Sequence, residues 1–152
     1  MIKEKYEINT QTCALIQDTQ LSTVVVEKES TIKVNMKLKE LLNYSCSYYG
    51  SSLEGRINGS KNALGSKYKL PIIVEETKEL LFFPTQSIEN EECVWISLNN
   101  IVSYKKSGNK VCVVFENNQL LELNTSYESF ENQVLRATKL LFILKRRKNA
   151  QK

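Results

Sequence analysis

Polar and apolar residues change period along this chain, and each change marks an element. Residues 6–17, YEINTQTCALIQ, alternate loosely, a β-branched run fills 23–26, and TIKVN at 31–35 alternates again. All three predict strands. Over 37–49 the apolar residues Leu38, Leu41, Leu42, Cys46 and Tyr49 keep the i, i+3, i+4 spacing of one helical face, and Gly50 supplies a stop. Residues 50–69, GSSLEGRINGSKNALGSKYK, hold four of the five glycines and four bases against one acid, Glu54. With no sustained period of either kind, they predict a long, mobile, basic surface loop.

Beyond it, LPIIVEE and ELLFFPT predict a hairpin turning near Thr77, with Pro84 closing the second strand. CVWIS, IVSYKK, KVCVVFE and QLLELN follow, separated by Asn-Asn and Ser-Gly-Asn clusters, the pattern of a meander. Thr125 with Glu128 three residues on resembles a capping box, and Phe130, Val134, Ala137, Leu141 and Leu144 then mark one face of a helix over about 127–148. The pattern predicts one domain over residues 1–152, of class α+β. It combines an antiparallel β-rich core of about seven to nine short strands with an inserted helix and a long C-terminal helix packed on the sheet. The expected core comprises Cys46, Tyr49, Ile72, Val74, Phe82, Trp95 and Ile96, continued by Val113, Phe115, Leu121, Phe130, Val134 and Leu141. Trp95 reads as a core anchor, because it lies inside an apolar strand pattern.

Composition fits that picture: 152 residues, 41% hydrophobic, 25% charged, with 2 Pro and 5 Gly. The first residues carry charges every two or three positions without an apolar signal-peptide core, and no stretch is long and apolar enough to span a bilayer. A cytoplasmic, nucleoid-associated protein is expected. Cys13, Cys46, Cys93 and Cys112 lie far apart without a CxxC pair, so they read as small apolar residues in a reducing compartment.

Histidine is absent, and Asp18 is the one aspartate. Histidine-dependent triads, HExxH zinc sites and Asp-rich two-metal sites are therefore excluded or disfavoured, and no GxSxG, SxxK or Walker-type loop points to another catalytic device. No enzymatic activity, catalytic residue, metal or cofactor is expected. The net charge of +4 is unevenly spread: residues 139–152 hold six bases and no acid, whereas residues 75–92 hold six Glu against Lys78 alone. This predicts an electrically two-sided molecule whose basic side attracts polyanions.

Three elements are candidates for a DNA-binding surface. In the glycine-rich segment, Ser51, Ser52, Arg56, Lys61, Lys67 and Lys69 sit on backbone that can approach phosphates closely, and Arg56 suits a narrow, electronegative minor groove. On the last helix, Gln133, Arg136 and Lys139 form a polar stripe away from Phe130 and Val134. Lys145, Arg146, Arg147 and Lys148 form a phosphate-attracting run, which also complements the helix dipole. From the residues alone, the alternative is a small β-domain module binding protein, or acidic membrane lipid through this basic helix end.

The residues also resemble a family. Ser45-Cys46-Ser47-Tyr48-Tyr49-Gly50-Ser51-Ser52 followed by Gly55-Arg56 is similar to a segment of the ComK family of competence transcription factors. Asn35-Met36-Lys37 precedes it, and Lys69-Leu70-Pro71-Ile72, Phe83-Pro84-Thr85, Trp95-Ile96-Ser97 and Ser129-Phe130-Glu131-Asn132-Gln133-Val134 follow in the family's order, from about position 33 to 144. The resemblance implies an activator that binds paired AT-rich boxes of double-stranded DNA, largely from the minor groove. It also implies homodimers assembling into tetramers, with RNA polymerase as a further candidate partner and the Gly-Ser-Ser…Gly-Arg segment as a DNA-contacting element. Longer members resembling this chain carry a tail with a Phe-Met-Leu-Tyr-Pro-like segment read by a proteolytic adaptor. The sequence stops at Lys152 in a short form without that segment, which leaves adaptor-protease recognition open.

Overall fold

The computed structural model describes residues 1–150 and has the α+β architecture. Ten strands form two sheets. The larger contains β1 (Ile2–Lys3), β2 (Thr12–Thr19), β3 (Ser22–Glu27), β4 (Thr31–Val34), β5 (Ile72–Glu75), β6 (Leu80–Pro84) and β7 (Val94–Ser97), in the order β1-β4-β3-β2-β7-β6-β5. All neighbours are antiparallel except β1 and β4. The smaller sheet is the antiparallel meander β8 (Ile101–Ser107), β9 (Lys110–Phe115) and β10 (Leu120–Leu123).

The expected run of strands after residue 93 is therefore divided. β7 pairs with β2 and β6 in the large sheet, and the chain crosses to the small one at Asn99-Asn100. Asn100 does more than turn the chain. It is buried, and its amide donates to the carbonyls of Thr10 at 3.1 Å and Thr12 at 2.7 Å, tying the crossing point to the start of β2.

The two-residue side-chain period of a strand sends neighbours to opposite faces, and here both faces are covered. Ile72, Val74, Phe82 and Trp95 pack on one side with α1 (Leu38–Tyr48) and the start of α2 (Leu53–Leu64). Ile73, Leu81, Phe83 and Ile96 pack on the other with β9 and α3 (Tyr127–Asn149). Phe83 meets Phe130 edge-on, with centroids 5.5 Å apart. Double-sided burial explains why LPIIV and LLFF read as continuous apolar runs rather than alternating ones. Trp95 is 2% exposed and belongs to the core as expected, while Tyr49, Leu121, Val134 and Leu141 lie half-buried at its margin.

Two local expectations are corrected. The expected loop at 50–69 is largely helical: α2 is capped by Ser52, whose hydroxyl accepts from the Gly55 amide at 3.0 Å, and ends at Gly65 in the left-handed region, φ +66°. Leu53, Ile57, Ser60 and Leu64 carry its inner face at helical spacing. Buried Ser60 escapes a hydrophobic count, and it donates to the Pro71 carbonyl at 2.6 Å. Two interior glycines, Gly55 and Gly59, each worth about 1 kcal/mol against a helix, complete the disguise. At α3 the cap is Ser126, which accepts from the Ser129 amide at 3.1 Å, and not Thr125. The most buried stripe of α3 is Phe130, Gln133, Ala137 and Leu140, slightly rotated from the predicted face.

Candidate nucleic-acid interface

α2 runs past the edge strand β5 from the α1 side of the large sheet to α3, so the candidate residues of 50–69 and of the last helix come near one another. They do not, however, form one exposed basic surface. Ser52 is committed to capping α2, and beside it the Ser51 amide bonds back to the Cys46 carbonyl at 2.9 Å. Arg56 is 21% exposed and pairs through Nη1 with Glu76 Oε1 at 2.9 Å, while its buried Nε has no partner among the described residues. Glu76 stands in the β5–β6 turn, and its other oxygen takes Lys148. Glu79 of the same turn pairs with Lys145.

The charge separation expected from sequence is thus partly undone by folding. The first part of the acidic stretch lies against the basic end of α3. Arg147 donates to Asn62 Oδ1 at 2.8 Å, and Arg146 stacks over the Phe142 ring at 5.6 Å. Lys139 is exposed and has no ion-pair partner among the described residues. Lys152 lies outside the described residues.

The stripe of Gln133, Arg136 and Lys139 is likewise broken up. Gln133 is 2% exposed and is not a solvent-facing residue. Its amide donates to the carbonyls of Lys69 at 2.8 Å and Pro84 at 2.7 Å, and its oxygen accepts from Arg136 Nη1 at 2.6 Å. Arg136 also donates to the carbonyls of Lys69 at 2.9 Å and Tyr68 at 2.8 Å, and to Ser66 Oγ at 3.2 Å. Burial lowers the Arg136 pKa from its ordinary value, but a guanidinium starts so far above neutrality that it stays charged. Gln133 and Arg136 serve the fold first, by fastening the chain segment between α2 and β5 to the last helix.

That segment carries Lys67 and Lys69, and a groove of about 590 Å³ opens beside it. Leu38, Leu42, Leu53, Ile57 and Trp95 give the groove its apolar lining, while Lys39, Lys67 and Lys69 add positive charge against one acid, Glu89. A neighbouring depression of about 720 Å³ between α1 and α2 is lined by Lys37, Lys39 and Lys61, with Glu40 and Glu54 as its acids. Among the described residues none of these five lysines is in an ion pair. Lys37 and Lys39 escaped the sequence reading, which treated 37–49 only as an amphipathic helix. The signal was the Lys-Leu-Lys triplet, which sets two cations around one buried apolar residue.

The rest of the molecule offers little chemistry. Cys13, Cys46 and Cys93 are buried, all four cysteines are free, and burial pushes the Cys13 and Cys46 thiols up to about 11. Among the described residues no cluster of three metal-ligating side chains occurs, and no helix is long and apolar enough to cross a membrane.

Comparison with known proteins gives the family of the chain. Residues 3–149 match the family model described as ComK protein. A competence transcription factor of Bacillus subtilis (strain 168) is 35% identical over 137 residues, covering 88% of this chain and 71% of that protein. No solved structure matches. The continuous match through both sheets and all three helices places the chain in the ComK family, as a transcription regulator of the competence type.

Proposed function

We propose that this chain is a sequence-specific activator that binds AT-rich double-stranded DNA, largely through the minor groove, as a homodimer or tetramer. It would act at the nucleoid and contact RNA polymerase from its promoter sites. The observation that carries this reading is the set of lysines that are unpaired among the described residues, at the start of α1, on α2 and in the segment leading to β5: Lys37, Lys39, Lys61, Lys67 and Lys69. Phosphate charge attracts such a surface without sequence preference, and release of condensed counterions supplies the affinity. Sequence preference then requires contacts within a groove. Arg56, half-buried behind Glu76, joins the interface by exchanging that carboxylate for a phosphate or for the negative potential of a narrow AT-tract minor groove.

The cations at the end of α3 add to the attraction as far as Glu76 and Glu79 release them. A second reading rests on the outer face of α3, where Leu135 and Phe142 are 59% and 58% exposed beside Arg146. Such an edge suits an acidic lipid surface. Anisotropy titrations with AT-rich and GC-rich duplexes, run beside a liposome pull-down, separate the two readings. With about three phosphates neutralised per protomer, binding by a dimer should give a log–log salt slope near −5. Inosine in place of guanine should restore binding to a GC-substituted site, since it removes the minor-groove amino group. A flat salt response, or capture by liposomes without DNA binding, rejects the proposal.

A further inference from the structure

Tyr68 is 78% exposed, an unusual place for a large aromatic side chain in a segment that is otherwise fixed. The backbone on both sides of it is anchored. Gly65 ends α2 in the left-handed region, and the Tyr68 amide reaches Ser66 Oγ at 3.4 Å. Lys69 turns the chain at φ +48°, and Leu70 and Pro71 are buried. The carbonyls of Tyr68 and Lys69 are held from below by Arg136 and Gln133. Burying a glutamine amide and part of a guanidinium is costly unless their hydrogen bonds are made, and here those bonds go chiefly to this one segment.

The consequence is a preorganised projection. Its carbonyls face the last helix while Lys67 and Tyr68 stand in solvent, with Lys69 half-buried beside them at the groove. A tyrosine ring has only two rotatable side-chain torsions, so seating it on a partner loses little conformational entropy, and the fixed backbone loses less still. Lysines on either side of a ring match a nucleic acid in particular, because phosphates flank every apolar sugar and base edge. Proteins that use the minor groove commonly place an apolar side chain against its floor or between base steps.

We infer that Gln133 and Arg136 are positioning residues that hold Lys67-Tyr68-Lys69 as a rigid projection, and that the Tyr68 ring is seated in the minor groove of bound DNA. This rests on the DNA-binding reading above and names the residue through which that surface enters the groove.

The test uses a second tryptophan as reporter. The native Trp95 is 2% exposed but lines the neighbouring groove, so the parent protein titrated in parallel supplies the baseline to be subtracted. In Tyr68→Trp, titration with an AT-rich duplex should quench the added emission and protect it from iodide, in step with the anisotropy change of labelled DNA. Tyr68→Ala should weaken binding by about tenfold, the scale of a lost ring–base contact, with an unchanged melting temperature. Tyr68→Phe should bind like the parent. Arg136→Ala should weaken binding similarly, and the double variant with Tyr68→Ala should be no weaker than either alone, because the two act as one unit. Binding by Tyr68→Trp that leaves its emission and iodide access unchanged overturns the inference while leaving DNA binding intact. Additive losses overturn the positioning role. Failure of the parent protein to bind any duplex instead overturns the underlying reading.

Discussion

The two most basic regions of this protein differ in what folding does to their charge. At the end of α3, Lys145 and Lys148 lie on Glu79 and Glu76, which also holds Arg56, and Arg147 is bonded to Asn62. On the face built from α1, α2 and the segment before β5, five lysines are unpaired among the described residues, Lys39, Lys67 and Lys69 at an apolar groove and Lys37 and Lys61 at the depression beside it. The first region is the denser one in sequence, yet two of its four cations sit in direct ion pairs, whereas none of the five lysines does among the described residues, although Glu40, Glu54 and Glu89 line the same depressions. A run of like charges reports the composition of a surface, while its free charge depends on which carboxylates the topology brings across. Here a tight hairpin turn, with Glu79 at φ +54°, brings Glu76 and Glu79 to the last helix. The pairs made by the exposed Lys145 and Lys148 are each worth no more than about 1 kcal/mol, enough to bias a ligand toward the other face without locking the helix end away.

The largest effect should come from the lysine face. Replacing Lys37, Lys39, Lys61 and Lys67 by alanine should weaken AT-rich duplex binding on the order of 100-fold at moderate salt. Neutralising Lys145, Arg146, Arg147 and Lys148 should cost distinctly less and weaken specific and random DNA about equally. Equal losses in the two variants would erase the distinction between the regions. Next in size, Arg56→Ala should cost about 1 to 3 kcal/mol at the specific site and narrow the gap between AT-rich and random DNA. Thermal melts of each variant exclude misfolding as the cause. If a folded Arg56→Ala protein binds both DNAs like the parent, Arg56 is only a partner for Glu76.

A smaller effect, of opposite sign, tests the masking directly. Glu76→Gln with Glu79→Gln removes the carboxylates that hold Arg56, Lys145 and Lys148, and DNA binding should tighten several-fold. Removing Glu91 and Glu92 in the same way, at the far end of the acidic stretch and in no ion pair among the described residues, serves as the control for net charge alone. Equal tightening in both double variants would mean that the ion pairs themselves mask nothing. The smallest effect concerns α2. An added Cβ at Gly59 meets nothing within 4 Å, so Gly59→Ala should raise stability by about 0.5 to 1 kcal/mol in denaturant titrations without altering DNA binding. No change in stability would return residues 53–64 to the loop that their composition suggests.

What could be read in advance followed the strength of each periodic signal. The helix after Lys37, the β5–β6 hairpin, the strands of the meander and the last helix were legible because burial there is long and regular. α2 was not, since one of its four inward positions is a serine and two glycines interrupt its interior. The division of the meander into two sheets was also hidden, because an Asn-Asn pair looks the same whether it reverses a strand or carries the chain to another layer. Among the candidate residues, Lys61, Lys67 and Lys69 of one segment line adjoining depressions, while Arg56 of the same segment turns to Glu76. Gln133 and Arg136 were taken for a polar face because a pattern cannot show that a loop 64 residues earlier in sequence supplies their hydrogen-bond partners. Tyr68 gave no signal at all until its exposure was known.

The salt dependence of the two multiple-lysine variants on one AT-rich duplex compares the regions most directly, since each phosphate contact contributes about 0.9 to the slope of log K against log salt. Loss of Lys37, Lys39, Lys61 and Lys67 should flatten the slope by about three units or more, while loss of the charges from Lys145 to Lys148 should flatten it by about one unit or less. The reverse order would place DNA on the end of α3 and contradict the assignment of the lysine face.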